Sequence, residues 1–242
     1  MVLPCPPLVP LGTSDDFCSV CYSPLETDDD GDRKPECWAC RKFRHLDGHV
    51  CITYHTRSRQ YPIGSWIYFA KAASERKNIP SLGNVLYRWL EQNWPTVRAG
   101  WQPTAVTYVP THPDRVATRG FDLMEEIVNR HPARRDAIGI RPLLRQLDAD
   151  EQPAEHRVVN PGGWAVIEQV RGERVVVIDD VLTSGATLGS IARMLRSQGA
   201  ERVFGLTLTR MITYGEAEKR LMELQRGQPF DWDVCLLRAS RS

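Results

Sequence analysis

No apolar run in the 242-residue chain approaches the roughly 20 residues that a membrane-spanning helix needs. A surplus of charge is missing too. The formal net charge of +1 creates no long-range field that would by itself announce nucleic acid or an anionic membrane as partner. The opening MVLPCPPLVPLG is rich in proline and lacks the basic start of a signal peptide, so the expected compartment is the cytoplasm, with no membrane partner. There is no GxxxxGK[ST] to take a triphosphate, no GxGxxG after a strand to take a dinucleotide, and no internal repeat. What remains is ordinary globular composition, 42% hydrophobic and 25% charged, in a chain long enough for one substantial domain and a small appendage.

The seven cysteines are unevenly spread. Four of them, Cys18, Cys21, Cys37 and Cys40, form two CxxC units separated by 15 residues, the spacing of two knuckles that bring four thiolates to one tetrahedral Zn2+. A disulfide or redox reading needs an oxidising compartment or a thioredoxin-like strand and helix, and neither is visible. The stretch between the two units, including ETDDDGDRKPE, is polar and turn-forming with almost nothing to bury. A metal is therefore the expected core of residues 15–52. Structural zinc supplies an apparent ~10–16 kcal/mol in finger peptides. Residues 1–14 read as a proline-rich arm and 53–242 as the main domain.

Within that domain, Leu82, Val85, Leu86, Trp89 and Leu90 recur at helical spacing. AVTYVP (105–110) reads as a short strand stopped by proline, and FDLMEEIVNR (121–130) as a helix with one apolar side. RVVVIDD (174–180) is the kind of near-continuous apolar run found in parallel strands covered on both faces. A helical pattern to Gly199 and a further strand, RVFGLTLTR (202–210), follow it. That rhythm predicts a βαβ unit and an α/β fold with an open, mostly parallel sheet.

In such a sheet, ligands bind at the carboxyl ends of the strands, so the adjacent carboxylates Asp179 and Asp180 are expected at a crevice. The small residues behind them, Thr183, Ser184, Gly185, Ala186 and Thr187, leave backbone N–H groups free to wrap an anion at the start of a helix. A 5-phosphate in that loop would bring ribose hydroxyls to the Asp pair. The plainer alternative is a strand ending in an Asp-capped turn with a Ser/Thr helix cap.

VVVIDDVLTSGAT (175–187) closely resembles the signature of type I phosphoribosyltransferases, enzymes that use 5-phosphoribosyl-1-pyrophosphate (PRPP). The resemblance implies that Asp179 and Asp180 hold the ribose hydroxyls, that Thr183–Thr187 bind the 5-phosphate, and that Mg2+ arrives with PRPP. Together with the double CxxC, YVPTHPDRVATRGFD (108–122) and EQPAEHRVVNPGGW (151–164) look like the ComF/GntX family of phosphoribosyltransferase-like proteins, over roughly residues 15–210. By that likeness Pro110 and Thr111 belong to a pyrophosphate loop, with Arg115 and Arg119 as its cations. Arg157 would lie in a flexible loop closing over the site. Arginine suits a departing pyrophosphate because its planar, permanently charged fork grips phosphate in bidentate fashion. Asp122 stands where the family has asparagine: it either sets a negative charge beside the pyrophosphate or points away.

Two functions follow. One is an enzyme that transfers 5-phosphoribose from PRPP to a small-molecule acceptor and releases pyrophosphate. The other is a non-catalytic PRPP or nucleotide sensor, with the zinc segment (RKFRH, 41–45) docking a protein or nucleic acid, for example in DNA uptake. Dimers are common among proteins of this fold, so a homodimer stays open.

Overall fold

A computed structural model of the chain describes residues 17–20, 23–25, 34–42, 45–56, 62–71, 73–147 and 161–212, together with Gly215, Lys219 and Glu223. Its centre is a four-stranded sheet in the order β1–β6–β5–β2, formed by Gly48–Thr56 (β1), Ala105–Tyr108 (β2), Arg174–Leu182 (β5) and Arg202–Ile212 (β6). Every pairing in it is parallel. The carboxyl ends of the four strands therefore share one edge. A second, antiparallel pair joins Leu144–Gln146 (β3) to Trp164–Val166 (β4).

The α/β architecture expected from the βαβ rhythm is the one found. β5, the helix Ala186–Ser197 (α7) and β6 form the unit, with Leu188, Ile191 and Leu195 buried at helical spacing. β5 is two residues longer than the apolar run that announces it and carries the Asp pair within it. Its alternation changes phase there. Val176 and Ile178 face one core layer, while Leu182 joins the opposite one and Val181 packs against the first.

The first layer lies between the sheet and three helices, Pro62–Ala70 (α2), Ile79–Trp101 (α3) and Leu123–Val128 (α5). Leu82, Val85, Leu86, Trp89 and Leu90 are all buried in it, as their spacing requires, and Trp101 stacks on Phe204 with ring centres 4.7 Å apart. The second layer gathers α7, Leu143 and Leu144, Trp164, and the thiol-bearing residues Cys18 and Cys40. Ala39 and Cys40 reach it from a one-turn helix, Trp38–Lys42 (α1). Two further short helices, Pro113–Arg119 (α4) and Pro132–Ile138 (α6), begin on proline and end on a left-handed glycine.

β1 runs across position 52, the end expected for the amino-terminal segment. Its sequence, GHVCITYHT, holds two histidines, and both are buried between strands. His49 accepts or donates to Thr207 Oγ1 at 3.3 Å, and burial pushes its pKa down to about 3. It is a neutral residue of the sheet. Among the described residues no helix is long and apolar enough to cross a membrane.

Candidate active site

A cleft of about 700 Å3 opens at the carboxyl edge of the sheet. Asp179, Asp180 and the whole 183–187 loop line it from one side, and Pro110, Thr111, Arg115 and Arg119 from the other. The described residues singled out for ribose, phosphate and pyrophosphate thus meet in one place. Arg157, with Gln152 and Asn160, lies outside the described residues. One end of the antiparallel pair, where Gln146 faces Trp164, borders the cleft together with Gly163.

The loop owes its shape to Gly185. With φ of +80° it sits in the left-handed region, which costs an L-residue about 1–2 kcal/mol. This glycine is the N-cap of α7 and offers no side-chain cap; Ser184 Oγ accepts the Ala186 N–H at 3.4 Å, and the other N–H groups of the first turn have no acceptor within the helix. Thr183 and Thr187 are exposed, while Gly185 and Ala186 are buried. Hydroxyls and backbone donors are therefore presented from a rigid base.

The carboxylates differ in surroundings. Lys71, just after α2, places Nζ 2.9 and 2.8 Å from the two carboxylate oxygens of Asp180. Asp179 accepts the Asp180 backbone N–H at 2.8 Å. Burial first, and the neighbouring Asp180 charge second, lift the Asp179 carboxyl from its usual range up to about 7, against the pull of Lys71. Near neutral pH such a group can gain or lose a proton.

Across the cleft, Arg115 and Arg119 stand four residues apart on α4, hence on one face. Pro110 and Thr111 lie in the irregular stretch just before this helix, and His112 caps it, its Nδ1 accepting the Asp114 N–H at 3.2 Å. Burial and the nearby Arg115 lower the Arg119 pKa, with Asp180 and Asp122 opposing. Asp122 itself turns away from the cleft. It is the N-cap of α5, accepting from the Met124 and Glu125 N–H groups at 2.9 and 3.1 Å, and it accepts the Thr111 N–H at 2.6 Å and the Thr111 hydroxyl at 3.1 Å. Its charge is spent on fixing the strand-to-helix turn.

Residues 119–235 match the phosphoribosyl transferase domain family. The matched stretch, somewhat under half of the chain, begins at Arg119 and takes in the Asp pair, the loop, α7 and β6. A solved hypoxanthine phosphoribosyltransferase from Staphylococcus aureus is similar over 53% of this chain and 62% of its own, at 16% identity and a TM-score of 0.30. The similarity thus spans less than two thirds of that enzyme's length. No curated protein matches the chain.

Beyond the phosphoribosyl transferase-like stretch, the cleft contains groups that no motif announced. Lys71 and Tyr68 come from α2 and its end, and His55 from the end of β1. His55 Nδ1 lies 2.8 Å from Thr209 Oγ1. Burial, helped by Lys71 and Arg210, lowers its pKa to about 4, so it lines the cleft as a neutral ring. A Cβ on Gly64 would come within 2.5 Å of that ring, which explains the glycine where α2 passes β1.

The cysteines form a separate group. The sulfurs of Cys18, Cys37 and Cys40 all lie within 4.8 Å of one another, and Cys21 lies outside the described residues. Within the group, Cys37 N–H donates to Cys18 Sγ at 3.3 Å and Cys40 N–H to Cys37 Sγ at 3.5 Å. Converging sulfurs on a short turn are a donor set that suits a soft or borderline divalent ion.

Proposed function

We propose that this protein is a phosphoribosyltransferase that moves 5-phosphoribose from PRPP to a small-molecule acceptor and releases pyrophosphate. The observation that carries the reading is the convergence, in one cleft, of an acidic pair, a donor-rich loop before a helix, and two arginines on a facing helix. The 119–235 match supports it.

In this reading the Ser184–Thr187 backbone and the loop hydroxyls hold the 5-phosphate, with hydrogen bonds to charge contributing roughly 1.5–3 kcal/mol each. The 2- and 3-hydroxyls of the ribose meet Asp180 and Asp179, and the first displaces Lys71 from Asp180. The bond from C1 to the pyrophosphate oxygen breaks ahead of bond formation, and its electron pair leaves with pyrophosphate. Mg2+ carried in with PRPP would spread that charge. Arg115 and Arg119 hold the departing oxygens, and Thr111 contributes from the fixed turn before α4. The acceptor's nitrogen or hydroxyl attacks C1, and its proton passes to Asp179. Catalysis is chiefly positioning. The three cysteines and Cys21 would hold a structural Zn2+ in an amino-terminal unit; its expected end at residue 52 falls inside β1, so the unit gives way to the sheet at Gly48.

Calorimetric titration with Mg-PRPP, beside ribose 5-phosphate and pyrophosphate, tests the reading. Micromolar binding that is lost in Asp180→Asn, with melting unchanged within about 2 °C, is the expected result. Wild-type protein that ignores millimolar PRPP, or Asp180→Asn that binds normally, overturns it. Binding without turnover of any acceptor would instead assign the site to a sensor.

A further inference from the structure

The buried cation between the cysteine group and the phosphate loop belongs to neither motif. Arg210 lies near the end of β6, in register with Leu182 on β5 and with Tyr54 on β1, and it is 2% exposed. Its Nη1 donates to three carbonyl oxygens: Leu182 at 3.0 Å, Thr183 at 2.6 Å and Met211 at 2.7 Å. Its Nη2 points the other way, to Cys37 Sγ at 3.9 Å. One planar guanidinium therefore touches the first residue of the phosphate loop and a sulfur of the metal-binding group.

We propose that Arg210 is a positioning residue that couples the two, so that a metal ion at the cysteines and a phosphate ester in the loop raise each other's affinity. The inference rests on the assignment of the 183–187 loop to a phosphate.

The physical argument has three parts. A guanidinium this deeply buried needs both hydrogen-bond acceptors and compensating charge. The loop carbonyls supply acceptors, and thiolates gathered on a divalent ion supply charge in excess of that ion's own. The fork is rigid, so an acceptor fixed at one end constrains the geometry available at the other. An ion that pins Cys37 Sγ thereby holds the Leu182 and Thr183 carbonyls, and with them the direction of the backbone N–H groups that follow. The cysteine group is also no detached appendage: Cys18 and Cys40 share a core layer with Leu182 and Leu188, which flank the loop in sequence. Coupling between two binding sites is reciprocal, so the effect must appear with the same factor whichever ligand is varied.

The test uses the full chain loaded with Zn2+. The partition of zinc to a colorimetric chelator is measured with and without saturating ribose 5-phosphate, and ribose 5-phosphate affinity is measured on zinc-loaded and chelator-stripped protein. The expected result is a change of about fivefold or more in both directions, equal within error. Arg210→Lys keeps the charge but not the fork, and should bring that factor close to one while zinc stays bound. Equal affinities in wild-type protein, with both ligands binding, overturn the coupling and leave the phosphate assignment standing. Full coupling in Arg210→Lys overturns the role of Arg210. Ribose 5-phosphate that binds no form of the protein overturns the phosphate assignment itself, and this proposal with it. Should Arg210→Lys fail to fold, the wild-type factor still decides: a value of one sinks the proposal.

Discussion

Asp179 places a titration inside the cleft. Its folded-state pKa is raised, through burial and the Asp180 charge, to about 7, while an unfolded chain has an Asp pKa of about 3.9. Between those values the folded protein holds a proton that the unfolded chain has lost. The stability it contributes is present below about pH 4 and is lost as pH rises through about 7. Asp179→Asn removes the titration and keeps an oxygen to accept the Asp180 N–H. It should raise Tm at pH 8 by about 4–8 °C, the scale of ~2 kcal/mol in a chain of this size, and leave Tm at pH 4 little changed. Equal shifts at both values would place the cause outside Asp179 ionisation. The position of the adjacent carboxylates at a crevice was legible because like charges after an apolar strand demand a reason. Lys71 was not legible: its partner lies 109 positions away, and nothing in KAASERK marks one lysine over another.

At the scale of the element, the turn joining β2 to α4 and α5 hangs on Asp122. The carboxylate caps two N–H groups of α5 and takes two more hydrogen bonds from Thr111. Loss of such a cap costs about 0.5–2 kcal/mol, whereas asparagine caps nearly as well as aspartate. Asp122→Ala should therefore lower Tm by about 2–6 °C and weaken pyrophosphate binding by freeing Thr111. Asp122→Asn should hold both near wild type. A weakened Asp122→Asn with intact melting would mean that the charge itself acts on the ligand. The sequence-only reading left both orientations of Asp122 open, because a cap and a charged site have the same local signature. β5, α7 and β6 were readable in advance because a buried parallel strand and an amphipathic helix have distinct periods. β1 and α2 were not. GHVCITYHT mixes cysteine and histidine into a strand buried on both faces, and PIGSWIYFA is apolar all round, so neither shows an alternation to read.

For the whole molecule, the question is whether the cysteine group folds as a unit apart. Composition argued for an appendage, since residues 26–33 have almost nothing to bury. Core packing argues for integration: Cys18, Leu25, Ala39 and Cys40 lie in the same apolar layer as α7 and the end of β5. Arg196 extends the join by donating to the His45 carbonyl and pairing with Asp47 at 2.6 Å. These contacts are invisible to any local pattern, because they link residues about 150 positions apart. If the layer is continuous, metal stabilises the main fold as well as the knuckles. A metal present at a thousandfold above its Kd stabilises the folded state by ~4 kcal/mol, which is about 8–16 °C in a chain of this length. Calorimetry of zinc-loaded and chelator-treated protein should then show one principal transition that moves down by that amount. A small, separate early transition lost on chelation, with the main peak unmoved, would instead make the amino-terminal segment an independent unit, and would leave Arg210 with only a loop to hold.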